Sequence, residues 1–289
     1  GITNQVQSLS VRSFRFRLHP WTLETPVEIS SAETIDYLLL PPDTVFHFDN
    51  GMMLISQKIG NIKGDEVKVV FPEPFPEGVT PVVMAQQNTA VASYAPVVTR
   101  VYDITRAGFS VKLERQAGVT GTFNAQNVNY FACSPGQLLI GDGKMLTVGS
   151  NSESLLVGTS RRTVNYVDAD GQQLSFRNPT IIAGAQTNNY PATNVLRQHI
   201  TSADYNGEIY CGSYRRQVDG TATNTPTNSA SANGDKVGWF IISEAPADAP
   251  SVDPVIVPTA ITTVKAQGFP VNVHEGAIFA DAPVRVFNT

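Results

Sequence analysis

NGMMLISQKIGNIKGDEVKVVFPEPFPEGVTPVVMAQQNT, residues 50–89, decides the fold. Val67, Val69 and Phe71 alternate with Lys68 and Val70, a period of two that gives a strand one buried and one wet face. Pro72, Pro74 and Pro76 flank Phe71 and Phe75, a rigid extended exit that staples two rings into a core. Further along, Phe109, Val111 and Leu113 alternate with Ser110, Lys112 and Glu114, and Gly108 before them reads as the positive-φ residue of a tight turn. Elsewhere the apolar residues alternate or run in threes to fives between Gly, Pro, Asn and Asp, so the chain reads as all-β and antiparallel. The best helical candidate is SSAETIDYLLL at 30–40, with Ser30 or Ser31 as cap and Pro41-Pro42 as stop.

An internal repeat organises the chain. DNGMMLISQ (49–57) resembles GDGKMLTVGS (141–150) at an offset of 92 between Gly51 and Gly143. GVTPVVMAQQNT (78–89) resembles RNPTIIAGAQTNN (177–189) at an offset of 98 between Pro81 and Pro179. VVTRVYDIT (97–105) resembles NVLRQHIT (194–201) at 97, and VNYFACSPG (128–136) resembles VGWFIISEA (237–245) at 109. The offset grows around 150–175 and in the Thr/Asn/Ser tract at 217–235, both loop-like. The expected division is an N-terminal segment (1–45), two β-sandwich repeats (46–140 and 141–246), and a proline-rich linker with a C-terminal β segment (247–289). SFRFRLHPW reads as an extra strand in the first segment, and FPVNV and VRVF as strands in the last.

Composition narrows the function. Of 289 residues 42% are hydrophobic, enough for a core in each repeat, yet only 16% are charged, against 19 Asn and 26 Thr. With a net charge of −5 and basic residues scattered, no clustered face for a duplex backbone is present, and no nucleic-acid partner is expected. No apolar run approaches the ~18 residues of a membrane span, and the opening GITNQVQSLS lacks a signal-peptide layout; a soluble chain with no membrane partner is expected. Cys133 and Cys211 have no metal-ligand spacing and read as buried strand thiols. No N-x-S/T sequon occurs with x other than Pro.

Residues 49–134 carry a further pattern: a strand opening N-G-x-x-L, an apolar strand ending F-P-x-x-F-P, a Pro-led valine strand, an I-T-x-x-G-F turn and a final Y-x-A strand. This resembles the H-type-lectin-like sandwich found at the C-termini of bacteriophage tail fibres. The second copy keeps G-x-M-L, N-P-T-I-I and W-F-I-I-S but lacks the F-P-x-x-F-P and G-F elements. The resemblance implies two tandem H-type-lectin-like antiparallel β-sandwiches with short terminal extensions, packed as a homotrimer. It also implies a virion location after assembly in the host cytoplasm, and partners that are a host-surface glycan or receptor and other virion proteins.

No nucleophile elbow, H-E-x-x-H or phosphate loop is present; GDGKM has the wrong spacing for the last. No enzyme activity, cofactor or metal is therefore expected, and Asp168-Ala-Asp170-Gly171 reads as a hairpin turn rather than a calcium loop. Sugar recognition needs polar groups beside an aromatic ring on a preformed scaffold. By resemblance the strand with Arg100, Tyr102 and Asp103, and its counterpart with Arg197 and His199, are candidate ligand positions. Tyr94 and the loop Asn188-Asn189-Tyr190 supply ring-plus-amide chemistry. The alternatives are a structural virion component of the tail, baseplate or capsid surface, and a free lectin.

Overall fold

The structure is a computed structural model that describes 38–88, 97–115, 125–189, 208–218 and 234–249, without 39, 142, 152–161 and 248, and strand backbone at 2–9, 13–20, 33–35, 194–200, 264–266 and 271–274. Every regular element among the described residues is a strand, and every pair is antiparallel. In chain order they are β1 (Ile2–Leu9), β2 (Ser13–Pro20), β3 (Glu33–Ile35), β4 (Thr44–His47), β5 (Met53–Ile62), β6 (Val67–Val70) and β7 (Val82–Gln87). There follow β8 (Val97–Thr105), β9 (Gly108–Arg115), β10 (Gln126–Cys133), β11 (Gly136–Gly141), β12 (Lys144–Ser150), β13 (Arg162–Asn165) and β14 (Phe176–Arg177). The last are β15 (Thr180–Ala185), β16 (Asn194–Ile200), β17 (Glu208–Ile209), β18 (Cys211–Val218), β19 (Val237–Glu244), β20 (Val264–Ala266) and β21 (Val271–His274).

In the first half, a four-stranded sheet in the order β4-β5-β10-β7 and a three-stranded sheet in the order β6-β9-β8 enclose one core. Met53, Ile55, Val83, Val128 and Tyr130 come from the first sheet, Val97, Val101, Phe109, Val111 and Leu113 from the second. Phe71 and Phe75 close one end with ring centroids 5.2 Å apart, as the proline spacing predicts. Their backbone N–H groups donate to Ala107 and Arg106 carbonyls, fastening the segment over the β8–β9 turn. Gly108 corrects one expectation. It is not among the positive-φ glycines; a Cβ there would stand 2.0 Å from the Val69 carbonyl oxygen, so close approach of β6 excludes any side chain.

The second half repeats the strand orders: β11-β12-β19-β15 and β13-β18-β16 correspond in sequence to β4-β5-β10-β7 and β6-β9-β8. The register repeats as well. Tyr130 lies opposite Gln57 and Ala85, and Trp239 opposite Gly149 and Ala183, so the offsets of 109, 92 and 98 read along the sequence are also offsets of pairing. Trp239 is larger than Tyr130, and Gly149 makes the room: a Cβ on it would meet the indole at 2.9 Å. Val164, Tyr166, Phe176, Val237, Trp239 and Ile241 form the core of this half.

Alternation on the four-stranded sheets leaves each a second apolar face, and these two faces meet. Phe48, Met52, Leu54, Val82, Met84 and Cys133 pack with Ile140, Leu146, Val148, Phe240 and Ile242 in one buried cluster. Equivalent residues meet there: Phe131 and Phe240, 109 apart in sequence, are in edge contact at 4.7 Å. A residue touching its own counterpart is the mark of a two-fold, isologous interface, here inside one chain.

Other expectations divide. SFRFRLHPW forms β2 and FPVNV contributes β21, as read; VRVF and nearly all of the proline-rich linker lie outside the described residues, as does most of the 217–235 tract. The helix at 30–40 is not formed at Glu33–Ile35, which is a strand paired with Val264–Ala266: Thr34 and Ile35 are β-branched and find a partner from the far end of the chain. β2 likewise pairs with β21, so the two terminal segments combine rather than stand apart. β4 begins at Thr44 and β11 at Gly136, each a few residues ahead of the repeat starts at 46 and 141. Cys133 and Cys211 are both buried, and neither is in a disulfide.

Candidate functional site

β8 carries three candidate residues and is an edge strand of its sheet. Val97 and Val101 face the core, and Thr99 between them donates to the Ala85 carbonyl of β7, tying the two sheets at this edge. Arg100 and Tyr102 fall on the other face, where side chains from β8, β9 and the approach to β6 form one polar network. The Glu114 carboxylate takes Arg100 Nε on one oxygen at 2.9 Å and Lys112 Nζ on the other at 2.8 Å. Arg100 is 4% exposed, so this ion pair holds a buried guanidinium. Tyr102 donates its hydroxyl to Glu66 at 2.8 Å, Ser110 donates to the other Glu66 oxygen at 3.2 Å, and Lys112 Nζ stands 5.7 Å from the Tyr102 ring centroid.

The electrostatics follow from these contacts. The Tyr102 hydroxyl, then Ser110 and the nearby Lys68 and Lys112, hold the Glu66 carboxyl below its ordinary value. Tyr102 is pushed the other way, first by burial and then by Glu66. Two carboxylates, Glu66 and Glu114, each accepting two contacts, sit beside an aromatic ring and an ammonium. Asp103 is exposed at φ 49°, next to the bulge between Tyr102 and Thr105, which turns it out of the strand's alternation.

The other candidates are placed elsewhere. Asn188 is half-buried and Asn189 exposed, and the loop is held by the buried Asp235: its Oδ1 accepts from the Asn189 backbone N–H and the Thr187 hydroxyl, both at 2.8 Å. Asn189 Nδ2 also donates to the Gly234 carbonyl at 2.8 Å. Arg197 and His199 lie on β16, the edge strand in the position β8 holds in the first half. Tyr94 and Tyr190 lie outside the described residues. Asp168-Ala-Asp170-Gly171 is a turn, with Asp168 Oδ1 accepting from the N–H groups of Asp170 and Gln172 and Gly171 at φ 78°. Among the described residues no three His, Cys, Asp or Glu side chains gather as a metal site.

Sequence reading singled out Arg100 and Tyr102 but not the Glu66, Ser110, Lys112 and Glu114 that hold them. The signal was present: Ser110, Lys112 and Glu114 are the polar half of the alternation that defines β9. The chain matches no family model, no curated protein and no solved structure.

Proposed function

We propose that the chain is a non-enzymatic recognition module of the bacteriophage tail-fibre type, built as two tandem H-type-lectin-like sandwiches and assembled as a homotrimer on a virion. In this reading it binds a host-surface glycan or receptor and leaves it unchanged. The observation that carries the reading is the fixed array of Tyr102, Glu66, Ser110, Lys112 and Glu114 on the sheet face turned from the first-half core, ring and hydrogen-bonding groups preset by mutual contacts. The Glu66 carboxylate, held ionised by its partners, accepts hydrogen bonds and is a poor proton donor. Three copies raise avidity by roughly 10² to 10⁴ when geometry permits.

An array of bacterial surface polysaccharides tests this: a subset retains the protein, and Tyr102→Ala loses it. Release of reducing ends or acetyl groups above a heat-killed control overturns the non-enzymatic part, and light scattering at the mass of one 31.2 kDa chain overturns the trimer. One observation favours a second reading. Arg100 and Lys112 are both ion-paired to Glu114, which suits a face built for stability in a virion building block. Particle imaging that places the protein away from any receptor-facing surface, with no array signal, selects that reading.

A further inference from the structure

β7 and β15 are equivalent edge strands of the two four-stranded sheets, and their outer edges end differently. The bonds that continue each ladder show which backbone groups point outward. Asn88 N–H donates to the Asn127 carbonyl, so Met84 and Gln86 turn their N–H and C=O groups toward β10, and Val83 and Ala85 turn theirs out. Gln186 N–H donates to the Lys236 carbonyl, so Ile182 and Gly184 turn toward β19, and Ile181, Ala183 and Ala185 turn out.

On β7 that edge is closed. Gln186 takes both Val83 groups, and Thr99 donates to the Ala85 carbonyl. On β15, among the described residues, nothing takes the outward groups of Ile181, Ala183 or Ala185. Leu196 stands in sequence where Thr99 stands, and leucine has no hydroxyl to give. Every residue of β15 keeps partial exposure, whereas four of the six on β7 are buried. The strand, TIIAGA, also lacks the devices that keep an edge to itself: it has no charge, no proline and no bulge in its register with β19.

This edge is complementary to itself about Ala183. Laid antiparallel on a second copy with Ala183 opposite Ala183, it sets Ile181 opposite Ala185 and Ile182 opposite Gly184, each large residue against a small one. All three outward residues then form hydrogen-bonded pairs, and no open group is left over. A patch that meets its own copy across a two-fold axis needs this symmetry. The pairing is also continuous with a contact the chain already makes. Ile182 packs against the apolar cluster between the two halves, and a Cβ on Gly184 would meet Met84 of that cluster. Ile182 opposite Gly184 of a second copy prolongs that seam across the axis.

We propose that β15 is the contact edge for a second copy of this chain, joining two four-stranded sheets into one of eight strands across a two-fold axis at Ala183. Such a contact links chains in pairs, independently of glycan recognition and of three-fold packing.

Light scattering of the full chain is expected to give an even number of chains: two, or six where three-fold packing also forms. Amide hydrogen exchange reads the edge itself. The N–H groups of Ile181, Ala183 and Ala185 are expected to slow at least about tenfold between dilute and concentrated protein, while that of Ile182 stays slow in both. Ala183→Pro removes the central outward N–H without touching the ladder to β19, and is expected to halve the mass. A mass of three chains overturns the proposal and leaves the trimer standing; a mass of one overturns both. An even mass that folded Ala183→Pro leaves unchanged also overturns it. Should that variant not fold, exchange decides alone. Equal rates at the two concentrations overturn the proposal: fast rates put the contact elsewhere, and slow rates mean that a segment of the same chain closes the edge.

Discussion

Gln186 pairs with Val83 as a neighbouring strand would. Its Oε1 accepts the Val83 N–H at 2.9 Å, and its Nε2 donates to the Val83 carbonyl at 3.0 Å. β7 is an edge strand, and its outward backbone groups are closed by side chains: Val83 by Gln186 from the second half, Ala85 by Thr99. Gln186 is 7% exposed, so water does not substitute. The register places Asn88 at the equivalent position of the first half, since Asn88 N–H donates to Asn127 as Gln186 N–H donates to Lys236.

Gln186→Leu strips both bonds and leaves a buried donor and acceptor unpaired, with an expected loss of about 2 to 6 kcal/mol from two groups at ~1 to 3 kcal/mol each. Gln186→Asn shortens the reach by one methylene and is expected to lose nearly as much. Urea denaturation measures both, and an unchanged midpoint for Gln186→Leu sinks the account.

Glycines at two kinds of position should answer differently to alanine. Gly108→Ala drives a methyl into the Val69 carbonyl, backbone against backbone, and is expected to prevent folding or cost well over the ~1 to 3 kcal/mol of ordinary overpacking. Gly51 and Gly143 are equivalent positions with φ of 81° and 66° and open space around each, so Ala there meets only left-handed strain of about 1 kcal/mol. Comparable losses at Gly108 and Gly51 in thermal melts contradict this.

The repeat was legible because pairing register is carried by short motifs: G-x-M-L fixes where β5 and β12 start, and Y-F-A and W-F-I fix the strands between β5 and β7 and between β12 and β15. A one-residue slip would move Tyr130 or Trp239 out of its core, so the aligned spacing had to survive in the pairing. Long-range closure was not legible. Nothing local in SSAETIDYLLL announces a partner about 230 residues away, and nothing around Gln186 announces Val83. The partner of Arg100, Glu114, lies across a turn, and only the sheet register brings the two together.

Glu114→Gln should expose what the bridge is worth. Arg100 and Lys112 then lose the carboxylate that bridges them, and the guanidinium is buried. Breaking a buried pair by removing one partner costs about 3 to 5 kcal/mol, reduced here because Lys112 is partly exposed and solvated. A loss of about 2 kcal/mol or more is expected, recovered in part by added sulfate or by 1 M salt. A variant as stable as the parent at low salt shows the network to be ornamental.

The Glu66 and Tyr102 pair gives stability two pH limits. Glu66 has its folded value below the ordinary 4.5, so its contribution is complete above about pH 4.5 and is lost as pH falls through the lower folded value. Tyr102 has its folded value raised above 10.0, so its contribution is complete below about pH 10 and falls above that, where the unfolded chain ionises while the folded chain keeps its proton. Tyr102→Phe removes the hydroxyl and with it both effects: Glu66 moves back toward its ordinary value, and no phenol is left to titrate there. The expected result is a variant whose denaturation midpoint, followed from about pH 3 to about pH 11, lies nearer the parent at both extremes than at neutrality. Two profiles separated by a constant amount over the whole range mean that the hydrogen bond between these residues does not couple to protons, and the electrostatic reading of the face falls with it.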